Sequence, residues 1–344
     1  MKVRTLQFGK AISAALFVLL LSVAGMKNAL AQTLVATLKH GDDISFFYGA
    51  DALVNAHNAA ETGDIITLSS GSFVPTTITK AITLRGAGCV EDTVSGVHPT
   101  VIAGTIQFDD DDSNADEYLT VEGIYFSGNA RHKTLNYPKF IKCNFNDFSY
   151  VYPFYMNNAQ FVNCMFNGFS FSYTNNTTLI NSVVWRAEGL DNSNRTVTAI
   201  NSIIALYDSP GALTAYNCVF ARVNYAYNLK DYSVAYNCVG IKNFYSDYRM
   251  FNCTNYNCME VNNFSDVFET FTGDFSYEEA FILKEEIATG FLGDDGTEVG
   301  IHGGNIPYDS RPSYQIVRHY SVPKKSDNEG HLNVEIEVYT EEGE

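Results

Sequence analysis

Apolar and polar positions follow one short phrase through the middle of this chain, and the phrase returns six times. The copies span residues 161–166 (Phe-Val-Asn-Cys-Met-Phe), 179–184, 199–204, 215–220, 235–240 and 250–255. Each puts an asparagine third: Asn163, Asn181, Asn201, Asn217, Asn237 and Asn252, in steps of 18, 20, 16, 20 and 15 residues. Such a period is too short for helical-hairpin repeats and fits one coil of a β-solenoid. The phrase predicts three inward-facing positions: the apolar residue before Asn, the Cys or Ser after it, and the apolar residue two further on. Asparagine tolerates the left-handed conformation that a sharp corner needs, and stacked amides can hydrogen-bond from coil to coil. Two earlier stretches, 121–126 and 140–145, fit the phrase with Glu122 and Lys142 in the asparagine position. The expected fold is all-β, a right-handed parallel β-helix held by a ladder of asparagines.

The flanks read as caps. Residues 33–38 and 44–48 pattern as strands, and 50–62 as a helix with Leu53, Ala56 and Ala60 on one face, ended by Gly63-Asp64. A helix there covers the first coil, whose open edge would otherwise invite aggregation. The stretch 65–262 then holds about ten coils at the spacing of stacked strands. After residue 262 the period fades. Residues 274–286 are acidic with a helical pattern, 290–304 are rich in glycine, and 314–320 and 331–339 read as two strands. This C-terminal cap, 263–344, is expected to cover the last coil; 32–64 form the N-terminal cap.

Residues 1–31 pattern as a signal peptide: Lys2, Arg4 and Lys10, then an apolar stretch, then Ala29-Leu30-Ala31 before Gln32. Cleavage between Ala31 and Gln32 implies a secreted, periplasmic or cell-surface protein with no transmembrane segment, expected to be a monomer. The formal charge is −17 over the whole chain. A surface so acidic repels nucleic acid and anionic lipid. Export permits disulfides, yet the seven cysteines are odd in number and most follow the phrase asparagine, so stacked free thiols are the expected state.

Residues 52–60, Gly63-Asp-Ile-Ile-Thr-Leu68, Ser70-Gly-Ser-Phe73 and Ile82-Thr-Leu-Arg-Gly86 resemble the cap helix and opening coils of secreted right-handed parallel β-helix proteins, the pectate-lyase-like superfamily. The tail, with Gly293-Asp-Asp-Gly and Gly300-Ile-His-Gly-Gly304, is similar to the C-terminal segment of one secreted β-helix group. The resemblance implies enzymes acting on acidic polysaccharides, with an Arg or Lys base and Ca²⁺ held by carboxylates, or with aspartate clusters. Their phrases are absent: the repeats contain no Asn-x-Asp or Gly-His-Gly, and residues 183–188 (Val-Val-Trp-Arg-Ala-Glu) carry a lyase-like tryptophan without the Asp-His that should follow. No catalytic residue carries over.

Four features remain. Asp109, Asp110, Asp111 and Asp112 offer hard oxygens suited to Ca²⁺, or a solvated acidic loop. Arg131, His132, Lys133, Lys139 and Lys142 form a basic cluster able to neutralise a sugar acid. Tyr150, Tyr152, Tyr155 and Tyr173 lie between phrases, where outward rings can stack on sugar faces. His302 stands alone in its glycine-rich loop. The leading expectation is non-catalytic binding of a polysaccharide or cell-surface glycan, with no obligate cofactor. The alternatives are a polysaccharide lyase or hydrolase with a non-standard site, and a structural or adhesive rod.

Overall fold

The computed structural model describes residues 34–92, 96–110, 112–151, 155–189, 196–208, 212–223, 227–243, 245, 247–311, 316–321 and 335–339, the last two stretches as backbone only. The signal peptide and its cleavage site, Asp111 and Tyr152 lie outside the described residues. Everything below belongs to one compact unit, Leu34–Glu344.

The chain winds as a parallel β-solenoid of the right-handed type, all-β, with about nine turns. Its first sheet stacks ten parallel strands, from Ile65–Leu68 through Thr177–Ile180 to Thr254–Tyr256. Ten strands bound nine turns, one fewer than the spacing suggested. Two antiparallel strands, Val35–His40 and Asp43–Tyr48, extend this sheet beyond the first coil. The helix Ala52–Ala59 packs under them and buries Leu53 and Ala56, as expected of a cap.

Alternation in the first sheet corrects one inward position. Leu179 and Ala199 are buried, whereas Ile180 and Ile200, directly before the asparagines, face outward and are half-buried. The inward residue is therefore two before the asparagine: Phe161, Leu179, Ala199, Ala215 and Ala235 all join the main core.

The corners have the backbone that the asparagines implied. φ is 53° at Asn163, 45° at Asn181, 46° at Asn201, 54° at Asn217 and 49° at Asn237, and Lys142 has φ 51°. Two assignments move. Ile141 pairs with Glu122, so the residue in line with Lys142 is Gly123, at φ 66°, and Glu122 lies within the strand. Tyr236 pairs with Tyr256, so the last corner is Asn257, at φ 50°. Asn252 follows Phe251, which bridges to Leu229 in a side excursion. Its neighbours mimic the phrase, but its register does not.

The position after each asparagine forms a ladder of its own. The Cys164 amide donates to Ser182 Oγ (3.1 Å), Ser182 to Ser202 Oγ (3.2 Å), Ser202 to Cys218 Sγ (3.4 Å), Cys218 to Cys238 Sγ (3.4 Å) and Cys238 to Cys258 Sγ (3.4 Å). Each of these coil-to-coil bonds needs a small acceptor aimed at the previous coil, which is why Ser and Cys interchange here. All seven cysteines are free.

Where the repeated phrases enter it, from Met165 to Val239, the second sheet is buried on both faces. Phe166, Val184, Ile204 and Phe220 point into the solenoid, where Phe126, Phe145 and Phe166 stack at 4.8 and 4.6 Å. The preceding residues, Met165, Val183, Ile203, Val219 and Val239, point outward into a second core. Phe264, Phe268, Phe271, Phe281, Leu283, Ile287, Val299 and Ile301 cover them. Burial of each such side chain contributes on the order of 1.5–3 kcal/mol. Residues 264–310 are thus a strap along the flank, not a lid over the last coil. Among the described residues, the two final strands, Ile316–Ser321 and Glu335–Tyr339, pair only with each other.

The last leg of the strap descends the corner column in reverse order. Asn217 Nδ2 donates to Asp294 Oδ1 (2.8 Å), and the Asp294 amide returns a bond to Asn217 Oδ1 (3.1 Å). Asn201 Nδ2 reaches the Glu298 carbonyl (3.4 Å), Asn181 Nδ2 those of Ile301 (2.8 Å) and Gly303 (2.7 Å), and Asn163 Nδ2 that of Pro307 (3.3 Å). Lys142 closes the series on Asp309 at 3.0 Å. Beneath the strap the amide N–H groups go to strap oxygens, backbone carbonyls for Asn163, Asn181 and Asn201 and the Asp294 carboxylate for Asn217. Beyond the strap they bond coil to coil: Asn257 Nδ2 donates to Asn237 Oδ1 at 2.6 Å.

Contact is close enough to demand glycine. A Cβ at Gly303 would overlap the Glu298 carbonyl oxygen and lie 2.6 Å from Asn201 Nδ2. Gly303→Ala should cost about 1–3 kcal/mol by overpacking. Amide exchange should accelerate across residues 293–310 while the solenoid strands keep their protection. Unchanged exchange in the strap would mean that this contact does not hold it.

Candidate functional site

The predicted basic cluster disperses. On the strand Ile124–Asn136, alternation sends His132 inward and Arg131 and Lys133 outward. Lys133 pairs with Asp109 at 2.9 Å. Lys139 stands on the outer face of the first sheet, in register with Thr120 and Gln160. Lys142 sits at a corner, bound to Asp309. Burial opposes ionisation of Asp309, but the Arg311 amide and side chain and the Lys142 ammonium together outweigh it and hold its pKa below the usual carboxylate value. The acidic run divides in the same way. Asp109 faces Lys133, while Asp110 is buried against the Ser113 hydroxyl, with its pKa raised by burial. Among the described residues, no group of three His, Cys, Asp or Glu side chains could hold a metal ion. His302 Nε2 donates to the Ala280 carbonyl (2.6 Å), a brace within the strap.

Of the predicted tyrosines, three come together. Tyr173 lies 4.7 Å from Tyr150 and 6.1 Å from Tyr155, ring centre to ring centre, and Tyr155 is exposed. They form an aromatic corner between the second sheet and the next coil.

A different site arises where the second sheet bulges. Register slips between Val184 and Ala187, so Trp185 and Arg186 both leave the solenoid interior while Ala187 re-enters it. Bulges re-aim side chains in this manner. Trp185 turns to the strap, stacking on Phe275 at 6.0 Å with planes 16° apart and meeting Phe271 edge-on at 5.2 Å. Asn167, Trp185 and Asn243 from three coils, with Thr272, Asp274 and Phe275 from the strap, line an open cleft of about 510 Å³.

Arg186, next to Trp185 in the chain, is exposed and is not one of the residues that line the cleft. Its Nε bonds Glu188 at 2.9 Å, its Nη2 lies 3.8 Å from Asp147 Oδ1, and its guanidinium sits 5.5 Å from the centre of the Tyr207 ring. A Cβ on Gly168 would come within 2.9 Å of Asp147 Oδ1 and 3.0 Å of Arg186 Nη2, so glycine there lets the two charges approach. Asp147 is half-exposed, and its pKa is raised by burial against the opposing pull of Arg186 and Arg131. The cleft thus offers aromatic lining from Trp185, Phe264 and Phe275, two amides and the Asp274 carboxylate, with the fixed Arg186 guanidinium on the residue after Trp185. Sequence reading met residues 183–188 only as an incomplete lyase phrase. The outward pair Trp-Arg, where alternation allows one outward residue, was the available signal.

His132 belongs to the core. It is wholly buried and stacks on Phe148 at 5.7 Å, and its Nε2 has no hydrogen-bond partner. Nδ1 donates to the Lys133 carbonyl at 3.3 Å. Burial pushes its pKa down to about 4 from 6.5. The unfolded chain therefore takes up a proton below pH 6.5 that the folded chain refuses until about pH 4. Stability is fully present above that window and falls as the pH drops through it, by up to about 1.4 kcal/mol per pH unit for one such group. His132→Phe keeps the stacking and should remove one proton from that dependence in denaturation curves across the window. His57, also lowered to about 4 by burial and by Lys80, contributes in the same direction and is unaffected by this substitution. A variant with the wild-type pH slope would show that His132 is not held neutral.

No protein-family model, curated protein or solved structure matches this chain. What its residues can do is therefore argued from the solenoid and the cleft themselves.

Proposed function

We propose that this is an exported glycan-binding protein of the secreted right-handed β-helix kind, and that the sugar is held in the cleft between Trp185 and the strap. One observation carries the reading: an open cleft lined by the stacked rings of Trp185 and Phe275 together with Asn167, Asn243, Thr272 and Asp274. Apolar ring faces with convergent amides and hydroxyls suit a polyol, whose C–H faces stack while its hydroxyls bond the rim. Arg186, the chain neighbour of Trp185, is held in place by Glu188 and is the cationic donor offered to the sugar. The signal-peptide pattern of the first 31 residues supports export.

A second reading has its own support. Arg186 and Glu188 share one strand and Asp147 lies two coils away, across Gly168, and a carboxyl with a raised pKa near a guanidinium is a pattern of acid–base sites. On that reading the protein cleaves the glycan it holds.

A panel of pectin, alginate, glycosaminoglycan and neutral plant glycans separates the two. Retention of one class, weakened about tenfold or more by Asp274→Ala and by Arg186→Ala at unchanged melting temperature, is the expected result. Tyr155→Ala should leave affinity unchanged if the cleft, rather than the tyrosine corner, is the site. Release of new reducing or unsaturated ends, lost in Asp147→Asn, would replace the binding reading with the enzymatic one. No retention by any class would sink both.

A further inference from the structure

The N-terminal edge of the first sheet has no partner among the described residues. The strand Asp43–Tyr48 pairs on one side with Val35–His40 and ends the sheet on the other. Its sequence, Asp-Ile-Ser-Phe-Phe-Tyr, is strongly β-forming and free of proline. Ile44 (56%), Phe46 (57%) and Tyr48 (64%) share one face and stand exposed. An open, apolar edge of this kind is a template for another strand. The far end of the same sheet differs. There Asn255 occupies the inward column where Ala235 stands one coil earlier, and Thr254, Asn255 and Tyr256 are all exposed. A polar final coil is how solenoids close an end to water.

We propose that Asp43–Tyr48 is a dimerisation strand, and that its occupant is the same strand of a second copy, antiparallel across a two-fold axis at Phe46. The pairing is self-complementary, as a two-fold interface must be. Ile44 then lies opposite the second copy's Tyr48, and Phe46 opposite its own counterpart, so six exposed apolar side chains cover one another on one face. Such cross-strand apolar pairs are the stabilising unit of a sheet. Asp43 falls opposite Gly49, so no like charges meet in the paired strand. The first sheet becomes continuous through both copies, with the polar last coils at its two outer ends. The monomer expected from sequence treated the N-terminal helix as closing this end. The helix closes the core, but it leaves the strand edge open.

Sedimentation velocity over a range of concentrations should show the wild-type mass rising to twice that of one chain and stopping there. Phe46→Lys should remain a single chain at the wild-type melting temperature. Phe46→Cys should form a covalent dimer under mild oxidation, and Tyr256→Cys should not. A wild-type protein that stays a single chain at every concentration overturns the proposal. So does Phe46→Cys that cross-links only when mixed with Tyr256→Cys, since that result means head-to-tail stacking.

Discussion

A solenoid corner asks two things of one residue. Its backbone must enter the left-handed region, and its polar atoms must find partners once something packs over it. Asparagine meets both demands in this chain. At Asn163, Asn181, Asn201 and Asn217 the corner backbone turns the sheet, and the side-chain amide then bonds a descending strap. Within itself the strap is held by turns, the short helix Glu285–Ala288 and isolated bridges, and the corner amides are what give its oxygens destinations on the solenoid. The register of strap on solenoid follows from them, and the register fixes which strap residues meet the second sheet. Phe264, Phe271 and Phe275 reach Trp185 only in that alignment, and the cleft exists only because they do.

The second sheet supplies the matching apolar demand. Its strands place one residue inward and the next outward, and both are apolar on successive coils. A sheet so patterned cannot face water on its outer side. The strap is therefore required by Met165, Val183, Ile203, Val219 and Val239 as much as it is guided by the asparagines. Arg222 shows the same logic for the side excursions. Buried completely, it donates to the carbonyls of Tyr227, Tyr245, Tyr248 and Arg249 and ties two loops to the last coils. Glu260 does so from the other side, accepting the amides of Met250 (2.8 Å) and Phe251 (3.0 Å).

Much of this was legible in the sequence because a solenoid writes its period into it. The coil length, the cap helix and the left-handed corners follow from the repeated phrase. The failures have physical causes. Glu122 and Gly123 differ by one position, and in a strand a one-residue slip exchanges inside for outside. Asn252 has Phe before it and Cys after it, like a true corner, and only the pairing of Tyr236 with Tyr256 disqualifies it. The role of the ladder was missed for a subtler reason. Asn257 and Asn237 bond each other as an amide ladder should, and nothing local distinguishes them from Asn181, whose partners are some 120 residues away in sequence. The doubly apolar dipeptides after Cys164, Ser182, Ser202 and Cys218 were the hidden sign that a covering segment existed. The cleft could not be read at all, since Asn167, Trp185, Asn243 and Asp274 are neighbours only after the strap has docked.

If the corner amides hold the strap, removing them should weaken covered and uncovered corners differently. Asn→Gly is the clean substitution, because glycine accepts the same positive φ and only the side chain is lost. Denaturant unfolding of this series tests the account most directly. Asn181→Gly and Asn217→Gly should each lose about 1–3 kcal/mol, as strap groups are left without partners. Asn257→Gly, beyond the strap, should stay within about 0.5 kcal/mol of wild type, the range of a surface change. Equal losses at all three corners would contradict the account, and would return the asparagines to the role of a ladder that holds only the coils.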